Sequence, residues 1–123
     1  MPEPAVRVMM LPRDTNERGT IFGGVILSLV DLAAAVEARR FNPTRRYVTV
    51  AMKEIKFKQP VCVGDIVSCY TTVQRVGNTS VTIDVQVVAE RGHDLTRVDV
   101  TQAQVTFVAV DDAGRPIPVR DQS

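Results

Sequence analysis

A nearly uninterrupted apolar helix constrains the fold of this chain more than any other feature. The Gly23-Gly24 pair opens the segment, which continues to about Phe41 and is stopped by Asn42-Pro43 because proline cannot continue a helix. Within residues 25–38 the only polar side chains are those of Ser28, Asp31 and Glu37. Apolar residues therefore occupy nearly every angle around the axis, a pattern that predicts a helix enclosed by other structure.

The rest of the chain has the period-two pattern of β-strands. One long strand is expected after Pro43, and it needs a β-bulge near Lys53-Glu54 because Met52 and Ile55 belong to opposite phases of the alternation. The Gly77-Asn78 pair begins a hairpin signal. The other strands are predicted at residues 5–11, 66–76, 81–87 and 98–110.

This order of elements predicts an α+β fold. A first strand precedes the long helix, and four strands follow it in an antiparallel, meander-like succession. With 45 % hydrophobic residues, the chain of 123 residues has enough apolar surface for one core, so a single domain over residues 1–123 is expected. One helix buried against one highly curved antiparallel sheet is the architecture that fits.

Charge and composition exclude several classes of partner. A net charge of +1 provides no basic field for nucleic acid or for an anionic membrane. The apolar stretch of the helix is too short to span a bilayer. Residues 1–4 show no basic segment that leads into an apolar one, so no secretory signal is expected. Cys62 and Cys69 lack metal-ligand spacing, and they predict reduced thiols in a cytoplasmic protein without a metal site.

Asp31 is the residue of the helix that the apolar pattern does not explain. The residues three and four positions away share its face and include no lysine or arginine; they are Leu27, Ser28, Ala34 and Ala35. A buried carboxylate without a partner costs several kcal/mol. Two interpretations remain open: a structural aspartate tied to a neighbouring strand, and a carboxylate in a cleft that transfers a proton or attacks a substrate.

The Gly23-Gly24 pair is a second indication of a site, although a tight turn is the simpler explanation. A helix N-terminus offers free backbone N–H groups and the positive end of the helix dipole, which suit a developing oxyanion. Gly24 and Asp31 are seven residues apart, about 10 Å along a helix axis. Because one aspartate side chain does not easily span that distance to a single carbonyl group, a reaction that uses both residues requires them from different subunits. The spacing therefore predicts a symmetric dimer with two composite sites.

Four segments of the sequence carry a resemblance to a known family. They are LPRDTNERGTIFGG, the VDLA of the helix, KFKQPVCVGD and VTFVAVDDAGRP, which occur in this order over nearly the whole chain. Together they resemble the acyl-CoA thioesterases of the hotdog superfamily, of the bacterial short- and medium-chain acyl-CoA hydrolase type. The resemblance implies five or six strands wrapped around the helix and hydrolysis of an acyl-CoA. It also implies dimers that form one continuous sheet, usually assembled as hexamers, and no cofactor, since coenzyme A is part of the substrate.

The resemblance further implies roles for particular residues. The catalytic aspartate of the family falls on Asp31, its asparagine on Asn16, and its oxyanion donor on the backbone N–H of Gly24. Contacts with coenzyme A in such proteins come from the bulged strand and from the hairpin near VGNTS. The corresponding residues, with the first glycine of the helix, are Gly23, Lys53, Lys56, Phe57, Lys58, Gly77, Asn78, Thr79 and Ser80.

Two other functions fit parts of the sequence. A hotdog hydratase or dehydratase acts on enoyl or hydroxyacyl thioesters, but such enzymes generally pair an acid with a catalytic histidine. The single histidine, His93, lies in a polar ERGHD segment that is expected to be a solvated loop. The other alternative is a non-catalytic acyl-CoA-binding protein, in which a passive apolar pocket gains nothing from the carboxylate of Asp31. Hydrolysis is therefore the expected activity.

Overall fold

One antiparallel sheet curls around one long helix in the computed structural model, which describes residues 3–121. Residues 1 and 2, on which the expectation about a secretory signal partly rests, lie outside this range, as do residues 122 and 123. The elements in chain order are β1 (Val6–Met9), a 3₁₀ turn (Pro12–Asp14), α1 (Gly23–Phe41), β2 (Arg46–Phe57), β3 (Ile66–Val76), β4 (Ser80–Glu90) and β5 (Arg97–Val110). This arrangement confirms the predicted α+β fold class.

Local sequence signals predicted most of the element boundaries. α1 begins at Gly23 and ends at Phe41, as expected from the flanking glycine and proline signals. β1 is shorter than the predicted strand at residues 5–11, and β5 begins at Arg97, one residue earlier than predicted. The predicted bulge is present, since the pairing of β2 with β5 shifts between Lys53 and Lys56, and Glu54 has a φ of 54°.

The order of strands in the sheet differs from the predicted meander. β3, β4 and β5 follow one another as predicted, but β2 pairs with β5 and not with β3, so that the order is β1-β3-β4-β5-β2. The connection at residues 58–65 is too long for a tight hairpin, and it carries the chain from β2 at one edge to β3 near the other edge. β1 and β2 are consequently the two edge strands.

The core lies between α1 and the face of the sheet that it covers. The residues of β4 that point toward α1 are fully buried; they are Val81, Ile83, Val85 and Val87. On α1 the buried residues are Ile26, Val30, Ala33, Ala34 and Ala38. The helix packs across β3, β4 and β5, and its three alanines let the backbone approach the valine-rich strands closely.

α1 is not enclosed within the single chain, contrary to the expectation from its sequence. The face turned away from the sheet, here called the open face, carries Gly24, Ser28, Asp31, Leu32, Ala35 and Arg39. Leu32 is 54 % exposed, and in edge strand β2 Val50 is 55 % exposed. One sheet covers one face of a helix, so packing within the chain does not account for the all-round apolar pattern. Within residues 3–121 no helix has the length and hydropathy to cross a membrane.

The two cysteines are free thiols in different surroundings. Cys62 is exposed in the connection between β2 and β3, whereas Cys69 is fully buried in β3. Desolvation by burial raises the pKa of the Cys69 thiol to about 12. The thiol of Cys69 therefore stays protonated at neutral pH and packs as a small apolar side chain.

Candidate active site

The open face of α1 carries the two residues that the spacing argument singled out. Gly24 and Asp31 lie two turns apart on one continuous α-helix, so they share a side and are separated by about 10 Å along the axis. Gly24 is exposed and Asp31 is half-buried. The aspartate is therefore not sealed in the core.

A hydrogen bond from edge strand β2 orients the carboxylate of Asp31. The hydroxyl of Thr49 donates to Oδ1 of Asp31 at 2.9 Å. Within residues 3–121 no lysine, arginine or histidine forms an ion pair with Asp31. The tie to a neighbouring strand that the structural interpretation required is thus present, yet it leaves the charge of Asp31 without a cationic partner in the described chain.

The first turn of α1 offers free backbone donors. In the described part of the chain the hydrogen bonds at this end begin with the N–H groups of Val25 and Ile26, which donate to the carbonyl of Phe22, and none is donated by Gly23 or Gly24. A Cβ placed on Gly24 meets no atom within 4 Å, so a ligand can approach this backbone closely. A free N–H at the positive end of a helix dipole is suited to an oxyanion.

A cleft of about 330 Å³ lies beside this first turn. Its mouth is exposed, with Phe57 at 54 %, whereas Ile26 and Val61 in its floor are 2 % and 4 % exposed. Gly23 forms part of the wall, since a Cβ there comes within 3.5 Å of the Phe57 ring. The lining consists of Ile21, Gly23, Ile26, Phe57, Lys58, Gln59, Pro60, Val61 and Thr101. Ligand pockets range from about 300 to 1,000 Å³, so this cleft suits a small, mainly apolar group.

Three exposed lysines lie along the end of β2 that leads to the cleft. Lys53 and Lys56 flank the bulge, and Lys58 lines the cleft and donates to Oε1 of Gln102 at 3.3 Å. None of the three forms an ion pair with an acidic residue in the range 3–121. Their positive charge is therefore available to an anionic ligand such as a phosphate.

The predicted contacts in the β3–β4 hairpin lie at the other end of the sheet. Phe57 pairs with Thr101, and Thr101 pairs with Val87 of β4, seven residues along the strand from Ser80. At roughly 3.3 Å per residue these ends are about 23 Å apart. Lys53 lies nearer, since it pairs with Gln104 opposite Asp84, four residues or about 13 Å along the strand from Ser80. Residues 77–80 do not line the cleft.

The hairpin residues also have roles in the fold. A Cβ on Gly77 would lie 2.6 Å from Oγ of Ser80, so a larger residue there would displace the Ser80 side chain. The carbonyl groups of Asn78 and Thr79 accept hydrogen bonds from the C-terminal segment and from β5 respectively. These backbone contacts fix the hairpin against β5 and the C-terminal segment.

The amide of Asn16 is used within the loop before α1. Its Nδ2 donates to Oγ1 of Thr20 at 2.9 Å, and its Oδ1 accepts from the N–H of Arg18 at 2.8 Å. This turn leads directly to Ile21, whose N–H donates to the carbonyl of Val61 in the cleft. Asn16 therefore shapes the approach to the first turn of α1, and in the described chain no hydrogen bond joins it to Asp31.

A buried ion pair fixes the loop at residues 58–65, here called the wall loop because four of its residues line the cleft. Nη1 of Arg91 lies 2.6 Å from Oδ2 of Asp65 and 3.0 Å from the carbonyl oxygen of Pro60. The side chain of Asp65 is 3 % exposed, and the same Oδ2 accepts the N–H of Cys62 at 2.9 Å. Arg91 and Asp65 thus hold the wall loop against the loop that follows β4.

Sequence reasoning missed Thr49 and the floor of the cleft. Nothing in the local pattern of β2 marks Thr49, since its importance depends on a contact with a helix 18 residues away. His93, by contrast, is placed as expected in an exposed loop, 3.4 Å from Asp94, and it does not line the cleft. Within residues 3–121 no group of three or more His, Cys, Asp or Glu side chains is placed to hold a metal ion.

Comparison of the sequence with known proteins matches this chain to thioesterases. A sequence model of the Thioesterase superfamily matches residues 18–96, which include α1, β2 and the wall loop. The acyl-CoA thioester hydrolase YciA of Salmonella typhimurium is 36 % identical over 120 residues, which cover 95 % of this chain and 90 % of YciA.

Two solved structures show the same architecture. A hexameric hotdog fold thioesterase of Campylobacter jejuni superposes with a TM-score of 0.90 and 45 % identity, over 97 % of this chain and 91 % of that chain. An acyl-CoA hydrolase from Staphylococcus aureus, in complex with butyryl coenzyme A, coenzyme A and coenzyme A disulfide, has a TM-score of 0.83 and 28 % identity, over 92 % of this chain and 68 % of that chain.

Proposed function

The chain belongs to the thioesterase superfamily, and we propose from this membership and the site geometry that it hydrolyses acyl-CoA thioesters to a carboxylic acid and coenzyme A. The open face of α1 carries the proposal, because it presents the free N–H of Gly24 next to an apolar cleft and, two turns further along, the carboxylate of Asp31 for a partner subunit. Thioester hydrolysis needs these three features: an oxyanion donor, an anionic base or nucleophile, and a place for the acyl group.

The reaction proceeds through addition of water to the thioester carbonyl. The carbonyl oxygen accepts a hydrogen bond from the N–H of Gly24, and the dipole of α1 stabilises the negative charge that develops there. Asp31 of the partner subunit takes a proton from water as the water oxygen bonds to the carbonyl carbon. Collapse of the intermediate breaks the C–S bond, and coenzyme A leaves as a thiol that takes up the proton. Direct attack by the carboxylate, followed by hydrolysis of the anhydride, is the alternative route.

The remaining residues position the substrate in this proposal. Asn16 fixes the loop that leads into the first turn of α1 and lies close enough in sequence to Gly24 to orient water or substrate there. Gly23 and Phe57 flank the cleft. The ammonium groups of Lys53, Lys56 and Lys58 face the phosphates of coenzyme A. The hairpin at Gly77, Asn78, Thr79 and Ser80 takes part from a neighbouring chain, since it lies at the other end of its own sheet.

Self-association supplies the second half of each site. The exposed apolar residues of the open face and of edge strand β2 provide a surface for it, and the Campylobacter jejuni relative is described as hexameric. We infer a dimer in which α1 and β2 of two chains meet, three such dimers forming a hexamer. The two free thiols support a cytoplasmic location.

Release of free thiol from a panel of acyl-CoA thioesters tests the activity. We expect release with kcat/KM of at least about 10⁴ M⁻¹s⁻¹ for the preferred substrate, a value within the ordinary range of enzymes. A chromogenic thiol reagent added after quenching measures it, and heat-denatured protein is the control. Saturable binding without thiol release would assign the chain to the acyl-CoA-binding proteins, and hydration of an enoyl thioester without release would assign it to the hydratases.

Mixed assemblies test whether each site is shared between two chains. Asp31→Ala removes the carboxylate, and Gly24→Val places a side chain in the open space beside the free N–H, so each variant alone is expected to be inactive. Co-expression in equal amounts makes half of the dimers mixed, each with one intact site of two, and about one quarter of wild-type activity is expected. Assemblies mixed from Asp31→Ala chains and Asp31→Ala/Gly24→Val chains are the inactive control. Absence of any rescue would place both residues of each site on one chain.

A further inference from the structure

One row of buried side chains in β5 changes from apolar to polar where it reaches the cleft. The alternating residues of this row are buried against α1, and all but the first are apolar; they are Thr101, Ala103, Val105, Phe107 and Ala109. Thr101 is 2 % exposed, and it is the member of the row that lines the cleft. A hydroxyl group therefore stands at the one position of the row that faces the cleft.

The hydroxyl of Thr101 is not used by the fold. No side-chain hydrogen bond within residues 3–121 involves it. By contrast, the hydroxyls of Thr82 in β4 and Thr106 in β5 form a hydrogen bond with each other at 3.0 Å. No fully buried side-chain oxygen or nitrogen in this range lacks a partner. It follows that Oγ1 of Thr101 reaches the surface of the cleft, where a bound group can satisfy it. A buried polar atom without a hydrogen-bond partner costs about 1 to 3 kcal/mol. A ligand that forms a hydrogen bond with Oγ1 of Thr101 is therefore bound more tightly than a ligand that covers this atom without bonding to it.

We propose that Thr101 is a specificity-determining residue that favours short acyl groups bearing an oxygen substituent, such as hydroxyacyl chains, over unsubstituted chains of the same length. This inference rests on the thioesterase function proposed above. The oxygen of the acyl chain exchanges a hydrogen bond with Oγ1 of Thr101, while the carbon chain packs against Ile26 and Val61, which are 2 % and 4 % exposed.

The acyl group, and not the coenzyme, is the occupant that fits this floor. The floor contains no charged group, and Lys58, the one charged residue of the lining, is exposed at the mouth, where the phosphates of coenzyme A remain in contact with water. The first turn of α1, which binds the carbonyl oxygen in the proposed reaction, forms a wall of the same cleft. An acyl chain that continues from that carbonyl into the cleft meets Thr101 among buried neighbours.

The test is a comparison of substrate ratios in two variants. We measure kcat/KM for butyryl-CoA, 3-hydroxybutyryl-CoA and 4-hydroxybutyryl-CoA with the wild-type protein, Thr101→Val and Thr101→Ser. Thr101→Val keeps the shape of the side chain and removes the hydroxyl, so we expect the better hydroxyacyl substrate to lose about fivefold to tenfold relative to butyryl-CoA, the effect of one hydrogen bond. Thr101→Ser keeps the hydroxyl and is expected to preserve the wild-type ratio within about twofold.

The ratio of two substrates does not depend on how much of a variant is folded, so a partly unfolded preparation still gives an answer. An unchanged ratio in Thr101→Val, with both substrates slowed equally, would overturn the inference and would place the hydroxyl against the coenzyme or in the fold. Absence of thiol release from every substrate with wild-type protein would overturn the proposed function itself, and the specificity inference with it. The two failures are therefore distinguishable.

Discussion

Replacing Asp31 by asparagine is expected to lower kcat for acyl-CoA hydrolysis by about 10³-fold, within the range of roughly 10² to 10⁴ that a general base contributes. Asparagine keeps an oxygen that accepts the hydrogen bond from the Thr49 hydroxyl, so the contact between α1 and β2 persists. What is lost is the negative charge that takes a proton from water or attacks the carbonyl carbon. KM is expected to change little, because the carboxylate acts on the reacting atoms and not on the coenzyme. Steady-state kinetics with the best substrate of the panel measures both constants.

Glu37→Gln is the matched control for this variant. Glu37 is the other carboxylate of α1, and its Oε1 accepts a hydrogen bond from Thr71 at 2.9 Å, a contact with a strand much like that of Asp31. It packs against β3 and away from the open face, so its amide variant is expected to keep wild-type kcat. Equal losses in the two variants would show that the Asp31 effect comes from helix packing. Full activity of a well-folded Asp31→Asn protein would remove Asp31 from the reaction.

Arg91→Ala is expected to reduce the free energy of unfolding by about 3 to 5 kcal/mol, the usual effect of breaking a buried ion pair on one side. The cause is the carboxylate of Asp65, whose side chain is 3 % exposed and which loses the guanidinium that lies 2.6 Å away. The carbonyl of Pro60 loses a donor at the same time. Chemical denaturation measures the change, at one fixed protein concentration because the stability of a self-associating protein depends on it.

Arg115→Ala provides the comparison on the surface. Arg115 also pairs with an aspartate, Asp111, at 3.1 Å, but its side chain is 78 % exposed. A solvated pair of this kind contributes little, and a change within about 0.5 kcal/mol is expected. A similar effect of the two substitutions would show that burial of Asp65 does not govern the energetics of the wall loop.

The wall loop forms one side of the cleft, so Arg91→Ala is also expected to raise KM.

Signals that act within a few residues were enough to predict the elements. Gly23 and Asn42-Pro43 bracket the helix, and the change of phase between Met52 and Ile55 predicts the bulge, because both signals depend on local backbone geometry. The pairing of β2 with β5 was not predictable in the same way. This pairing depends on the path of the eight-residue connection, residues 58–65, which leads from one edge of the sheet to β3 near the other. No residue within that connection specifies the strand with which β2 pairs.

The candidate site likewise contains residues that the sequence alone marks and residues that only the structure identifies. Asp31 and Gly24 stand out because each violates the expectation for a buried helix, and such local conflicts are visible in a sequence. Thr49 and Thr101 are ordinary strand residues, and their positions acquire meaning only when the sheet places them against α1 and the cleft. The apolar pattern of α1 led to one wrong prediction, that the single chain encloses the helix. A sequence pattern does not distinguish a helix face that is buried by the same chain from one that is buried by another chain.

The continuity of α1 between Gly24 and Asp31 limits how the length of this protein can vary among its descendants. Each residue added to or removed from an α-helix turns the following side chains by about 100°, and a single deletion between the two residues moves the carboxylate to the position of Val30, which is fully buried against the sheet. A change of three or four residues, one turn, returns the carboxylate to about the same face but alters the separation by about 5 Å, and a change of seven residues alters it by about 10 Å. Insertions and deletions are therefore expected to accumulate in the exposed loops after β4 and β5, while the distance from glycine to aspartate in the helix remains at seven.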